Sequence, residues 1–176
     1  MKKFLQFAGW IALGLAVVAA ILMIATPAID VTVNSLGGGS THKYVNGATA
    51  LFGAKETYDF VVVSGTAVTN PAPLGLVGWI LLLVGAIVIV LGAVLPAIKE
   101  KLGKFAIALD LVAFILLLLA GIFAFCVVAS FYSNNGYNSV PSGAAIGFGW
   151  VMAGILAILG ALVSICPAAS NLIGKK

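Results

Sequence analysis

Three copies of one pattern govern what this chain can fold into. Gly-Trp, sixteen residues and Pro-Ala recur as Gly9-Trp10 to Pro27-Ala28, Gly78-Trp79 to Pro96-Ala97 and Gly149-Trp150 to Pro167-Ala168, and they hold all three Trp residues. Each Trp stands 17 residues before its Pro, and as a helix that interval rises about 26 Å, close to the hydrocarbon thickness of a bilayer. Trp favours the membrane interface, and Pro cannot carry a helix on into water. Hydrophobic residues make up 62% of the 176 and charged ones 8%, against roughly 25% charged in ordinary soluble domains. The chain therefore reads as an integral membrane protein with no length left for a separate soluble domain.

Four stretches, 7–25, 74–98, 105–132 and 144–166, are long and apolar enough to span a bilayer. The first follows Lys2 and Lys3 as a secretory signal would. Its apolar core is longer than the usual h-region, so it is expected to remain as a helix. All nine basic residues are Lys. Lys2 and Lys3 precede the first helix, Lys99, Lys101 and Lys104 lie between the second and third, and Lys175 and Lys176 end the chain. In the long first loop Lys43 and Lys55 are balanced by Asp30, Glu56 and Asp59. The positive-inside rule then puts both termini in the cytoplasm and both larger loops outside, at the cell membrane. The net charge of +4 belongs to the cytoplasmic rim, where anionic lipid is its partner and nucleic acid is not needed. Cys126 and Cys166 fall in opposite leaflets on this topology, too far apart for a disulfide.

A shift of 71 residues lays the second helix on the fourth, matching Gly78 with Gly149, Trp79 with Trp150, Pro96 with Pro167 and Lys104 with Lys175. The first and third helices correspond only at a shift of 101, as Lys3-Phe4 with Lys104-Phe105. Two tandem hairpins of common origin account for both shifts, the first having gained an insertion in its outer loop. Small residues recur every seven positions at Gly78, Gly85 and Gly92, at Ala106, Ala113 and Ala120, and at Gly147, Gly154 and Ala161. Such seams mark where helices approach closely, and a seven-residue period implies a left-handed bundle. Ala8, Ala12, Ala16 and Ala20 repeat every four residues and are expected to offer a face to a neighbouring protomer or subunit.

The first loop changes character. Ile29, Val31 and Val33 alternate with Asp30, Thr32 and Asn34, and Tyr58, Phe60 and Val62 alternate with Asp59, Val61 and Val63. Period two predicts strands. The Gly37-Gly38-Gly39 run and Asn46-Gly47 supply turns, the second a strong hairpin signal. A further strand from Tyr44-Val45 or Val68-Thr69 would complete a small extracellular antiparallel sheet, since an isolated hairpin is marginal in water. The second loop, bracketed by Tyr132 and Tyr137, is expected to dock on that sheet.

The fold expected is thus all-α, a single tetraspan domain over 1–176. It is a left-handed four-helix transmembrane bundle with helices at about 4–27, 74–98, 104–132 and 143–167 and outer loops at 28–73 and 133–142. This order of elements resembles the claudin-like tetraspan superfamily, and the resemblance covers the whole chain as architecture. It implies side-by-side assembly and contact between membranes through the extracellular sheet. The family's loop signature of Trp, Gly-Leu-Trp and two Cys has no counterpart, since residues 29–73 contain neither Trp nor Cys. No family residue therefore transfers to this chain.

Little in the sequence points to chemistry. His42 is the one His, and no metal-ligand spacing, phosphate loop or acid-base pair accompanies it. No catalytic, cofactor or metal site is expected, and the chain is expected not to be an enzyme. Asp110 is the ionisable residue inside a span; such residues cost about 2.5–3.5 kcal/mol at a helix centre and usually have a role. It flanks the Ala106/Ala113 seam and should face protein. The expected function is structural: lateral self-association into homo-oligomers, with Tyr44, Phe52, Tyr58, Phe60, Tyr132 and Tyr137 as outer contacts and Trp10, Trp79 and Trp150 as interface anchors. The alternatives are an accessory subunit docking on another membrane protein, and a small channel or transporter centred on Asp110.

Overall fold

The computed structural model describes residues 2–34, 40–59, 64–98 and 103–173. Seven helices and five strands follow one another among them: α1 (Lys2–Ala25), β1 (Pro27–Asn34), β2 (Ser40–Asn46), α2 (Gly47–Phe52), β3 (Ala54–Asp59), β4 (Ser64–Thr69), α3 (Pro73–Ile98), α4 (Gly103–Phe125), α5 (Val127–Asn134), β5 (Ala144–Ile146), α6 (Phe148–Ser164) and α7 (Cys166–Ile173). Four helical stretches, Phe7–Ala25, Pro73–Leu95, Phe105–Phe125 and Phe148–Ala169, are long and apolar enough to cross a membrane. They are four candidate membrane spans and fit a tetraspan architecture.

The four helices form a ring. α1 packs on α3 and α6, α4 packs on the same two, and the diagonal pairs hardly touch. Where they meet, the residues are small. Ala12, Ala16 and Ala19 of α1, Ala113, Ala120 and Ala124 of α4, and Ala153, Ala157 and Ala161 of α6 are all buried. Leu82, Leu117, Met23 and Trp150 fill the space left between them. The outward faces are apolar as well, with Ile11, Val18, Ile87, Ile115 and Leu162 exposed. A helix that is apolar on every side is stable in contact with hydrocarbon and not with water.

Three boundaries depart from the expected ones. The third long helix, expected as one piece over 104–132, is divided at Cys126, whose amide bonds to the Phe123 carbonyl at 3.1 Å in a tighter turn. The fourth, expected to begin near 143, begins at Phe148, because Ala144–Ile146 is strand β5 paired with β1. A further joint at Ile165 separates α6 from α7. Pro167 lies in the first turn of α7, where its missing N–H breaks no helical bond.

Two antiparallel sheets sit at one end of the bundle. β1 is the centre of a three-stranded sheet, order β2-β1-β5, with Asp30 opposite Tyr44 on one side and Ala145 on the other. β3 and β4 form a separate two-stranded sheet with Lys55 opposite Val68. The strands suggested by Tyr44-Val45 and Val68-Thr69 thus both exist, in different sheets. Asn46-Gly47 is not a hairpin turn: β2 ends at Asn46, which caps the start of α2 in extended conformation. The Gly37 to Gly39 turn lies outside the described residues.

Candidate functional site

The sheet end of the bundle gathers the polar and aromatic groups, and its geometry starts at Pro27. Because Pro27 has no N–H, the carbonyl of Met23, four residues back, loses its helical donor. Trp150 takes that place: its Nε1 donates to Met23 O at 2.9 Å, with the whole side chain 0% exposed. Trp79 makes the parallel contact, Nε1 donating to Ala20 O at 3.3 Å. Thr26 closes the helix by donating through Oγ1 to Leu22 O at 2.6 Å. Two of the three Gly-Trp pairs therefore anchor the end of α1.

The glycines beside them permit this approach. A methyl on Gly149 would overlap the Thr26 side chain, one on Gly147 the Pro27 carbonyl, and one on Gly47 the Met23 carbonyl. Gly47 also donates its N–H to Thr26 O at 2.9 Å, and Gly147 its own to Ala28 O at 2.8 Å. The expected seam residue Gly147 is buried, but in extended conformation ahead of α6 rather than inside a helix.

A second set of bonds ties the two connecting segments together. Asn135, which caps the C-terminus of α5, accepts from Asn70 N at 2.8 Å through Oδ1. Its Nδ2 donates to Asn70 O at 3.0 Å and to Phe131 O at 2.9 Å. Asn134 Nδ2 donates to Pro71 O at 2.8 Å, and Asn70 Nδ2 to Asn134 O at 3.3 Å. Nearby, Ser130 Oγ accepts from Leu74 N at 3.0 Å, satisfying a free N–H in the first turn of α3.

The expected contact residues divide. Tyr44 is 59% exposed on β2, its ring parallel to that of His42 with centroids 6.3 Å apart. His42 Nδ1 lies 3.0 Å from Asp30 Oδ1 across the strands. Tyr137 is 56% exposed and meets the ring of Tyr132 edge-on at 5.2 Å. Tyr132 itself is buried and also packs edge-on with Phe131, so it supports this surface from beneath. Phe52 is 57% exposed and stands edge-on to Trp79 at 5.6 Å, which joins α2 to α3. Tyr58 is on β3 opposite Gly65, its side chain beyond the described ones; Phe60 lies outside the described residues.

The expected interface anchors are likewise not alike. Trp10 is 52% exposed on α1 and Trp79 is half-buried, whereas Trp150 is enclosed by protein and its indole serves α1 instead of a membrane surface. The helix-packing set is buried throughout: Gly78 lies against Phe123 and the Ala120 carbonyl, Gly85 against Leu117, and Gly154 against Phe125. Ala106, Ala113 and Ala120 are enclosed on α4. The Ala8, Ala12, Ala16 and Ala20 face is corrected: all four are buried inside the ring, and the Ala12 carbonyl approaches Gly160 of α6, so this face is not open to another subunit.

Asp110 is half-buried, and a methyl added at Gly92 would lie 3.1 Å from its Oδ1, so the carboxylate points at α3. Among the described residues no three His, Cys, Asp or Glu side chains converge to hold a metal ion. The groups that sequence reasoning missed are Thr26, Asn70, Asn134, Asn135 and Ser130. For Met23 and Trp150 a signal existed, because Pro27 leaves a carbonyl without its donor; for the Asn residues, 64 to 65 positions apart, none did. Compared with family models and with curated proteins, the chain matches none of them.

Proposed function

We propose that this chain is a structural membrane protein of claudin-like type that self-associates laterally and displays its sheets outside the cell for assembly or adhesion. On this reading the bundle is left-handed, as the seven-residue repeat of small residues implies, and both termini are cytoplasmic, because lysines cluster in the sequence at 2–3, 99–104 and 175–176, outside the strand-bearing segments. The supporting observation is the way the larger sheet is joined to the helices. β1 leaves α1 at the joint held by Trp150, and β5 enters the same sheet from the other connecting segment just before α6. A sheet fastened at two helix ends holds exposed Tyr44 and His42 in fixed positions, the ring of Tyr132 braces exposed Tyr137 after α5, and rigid aromatic groups make contacts at low entropic cost. The interior agrees with a structural role: among the described residues the buried polar side chains are Ser130 and Ser164.

Crosslinking and native mass measurement of the full chain in lipid nanodiscs and native membranes test the proposal. A ladder of self-oligomers weakened by Tyr44→Ala or Tyr137→Ala is expected. Monomers alone would overturn it, and a stoichiometric foreign partner would replace it with the accessory-subunit reading.

A further inference from the structure

The sequence holds two Asn–Gly pairs, Asn46-Gly47 and Asn135-Gly136. Asn–Gly is the dipeptide most open to deamidation, because a glycine amide nitrogen meets no side-chain hindrance as it attacks the neighbouring Asn carboxamide. The fold treats the two pairs differently. At the first, the attacking nitrogen is blocked: Gly47 is buried, its N–H donates to Thr26 O at 2.9 Å, and its Cα presses on the carbonyls of Met23 and Thr26. At the second, the nitrogen is accessible. Gly136 is exposed at φ +80°, has open space around its Cα, and its N–H makes only a long 3.4 Å bond to Ser133 O. There the carboxamide is what is held, by one accepted and two donated hydrogen bonds.

We propose that Asn135-Gly136 is a deamidation site guarded by the clasp that Asn135 itself forms with Asn70, and that reaction there unlatches the two connecting segments. Gly136 N bonds to Asn135 Cγ, and the Cγ–Nδ2 bond breaks with release of ammonia to leave a succinimide. Water then opens the ring to Asp or isoaspartate. Either product replaces an amide that donates to Asn70 O and Phe131 O by a carboxylate, which has no proton to donate and repels both carbonyls. Loss of the amide donor removes the bond to Asn70 O and leaves Phe131 O with only the Asn135 backbone N–H, so the product does not re-form the clasp. The rate is set by how often the clasp opens, which makes Asn135 a recorder of the age and strain of this end of the molecule.

The test uses the full chain in nanodiscs, incubated at mildly alkaline pH and followed by peptide mass spectrometry. In the unaltered protein, deamidation at residue 135 is expected and residue 46 stays intact. Asn134→Ala removes the bond to Pro71 O, and Asn70→Ala the bond to Asn134 O, without touching the reacting pair. Each should accelerate reaction at 135 about fivefold, the factor that one net hydrogen bond gives in an opening equilibrium. An unchanged rate at 135, or an equal rise at 46 and 135, would overturn the guarding role. Asn135→Asp should speed amide hydrogen exchange over 69–72 and 130–136; unchanged exchange there would overturn the unlatching.

Discussion

At the scale of single residues, the end of α1 is held by a few groups whose roles differ in strength. Trp150→Phe keeps an aromatic ring but removes the pyrrole part of the indole with its N–H, leaving a small cavity and Met23 O, already without its helical donor, unsatisfied in a buried place. It should cost about 1–3 kcal/mol in thermal or denaturant unfolding in detergent. Trp79→Phe removes a longer bond from a half-buried ring and should cost less. A larger cost from Trp79→Phe would mean that Pro27 does not create the need for the Trp150 indole. Glycine substitutions give a second contrast. Gly149→Ala drives a methyl into the Thr26 side chain near its Cβ, so backbone has to move, and a loss of about 3 kcal/mol or failure to fold is expected. Gly14→Ala meets nothing within 4 Å and should be neutral or slightly stabilising.

Among the elements, the smallest strand has the widest consequence. β5 is three residues long, yet it brings the second connecting segment onto β1 and sets where α6 begins. The insertion that carries β2, α2 and β3 is different, since it contacts the bundle mainly through α2, where Ala50 and Leu51 are buried. Excising residues 36–65 should therefore leave the four-helix ring able to insert, measured by protease protection in liposomes. The expected loss is about 2–4 kcal/mol, from the buried apolar surface of α2. Failure to insert would show that the ring depends on the insertion, against the idea of a bundle to which it was added.

Over the whole molecule, the ring leaves no spare small-residue face on the inner side of α1. Ala12→Leu tests this: inside a packed ring, the larger side chain should destabilise the monomer by about 1–3 kcal/mol or displace α6. Were that face a docking surface instead, the same change would leave monomer stability alone and alter only association. On the proposed reading, the apolar outward faces are the surfaces through which self-association in the membrane would act. Contact energy there comes from close packing, since lipid tails are as apolar as the helices.

Hydropathy and period were enough to read four membrane-length helices and an antiparallel β-rich insertion between the first two, because both signals are local. A bilayer demands length and apolarity, and a strand alternates its faces whatever its partner. Spacing also singled out Trp79 and Trp150, but as surface anchors. Only the tertiary structure decided that Trp150 is enclosed, that the Ala8 to Ala20 stripe faces inward, and that Ala144–Ile146 pairs with β1 instead of extending a helix. The physical reason is the same in each case. Whether a Trp, an Ala stripe or a short apolar segment faces lipid or protein depends on which distant backbone group comes beside it. A free carbonyl at Met23 and an open edge on β1 are offers that the sequence makes without naming who accepts them.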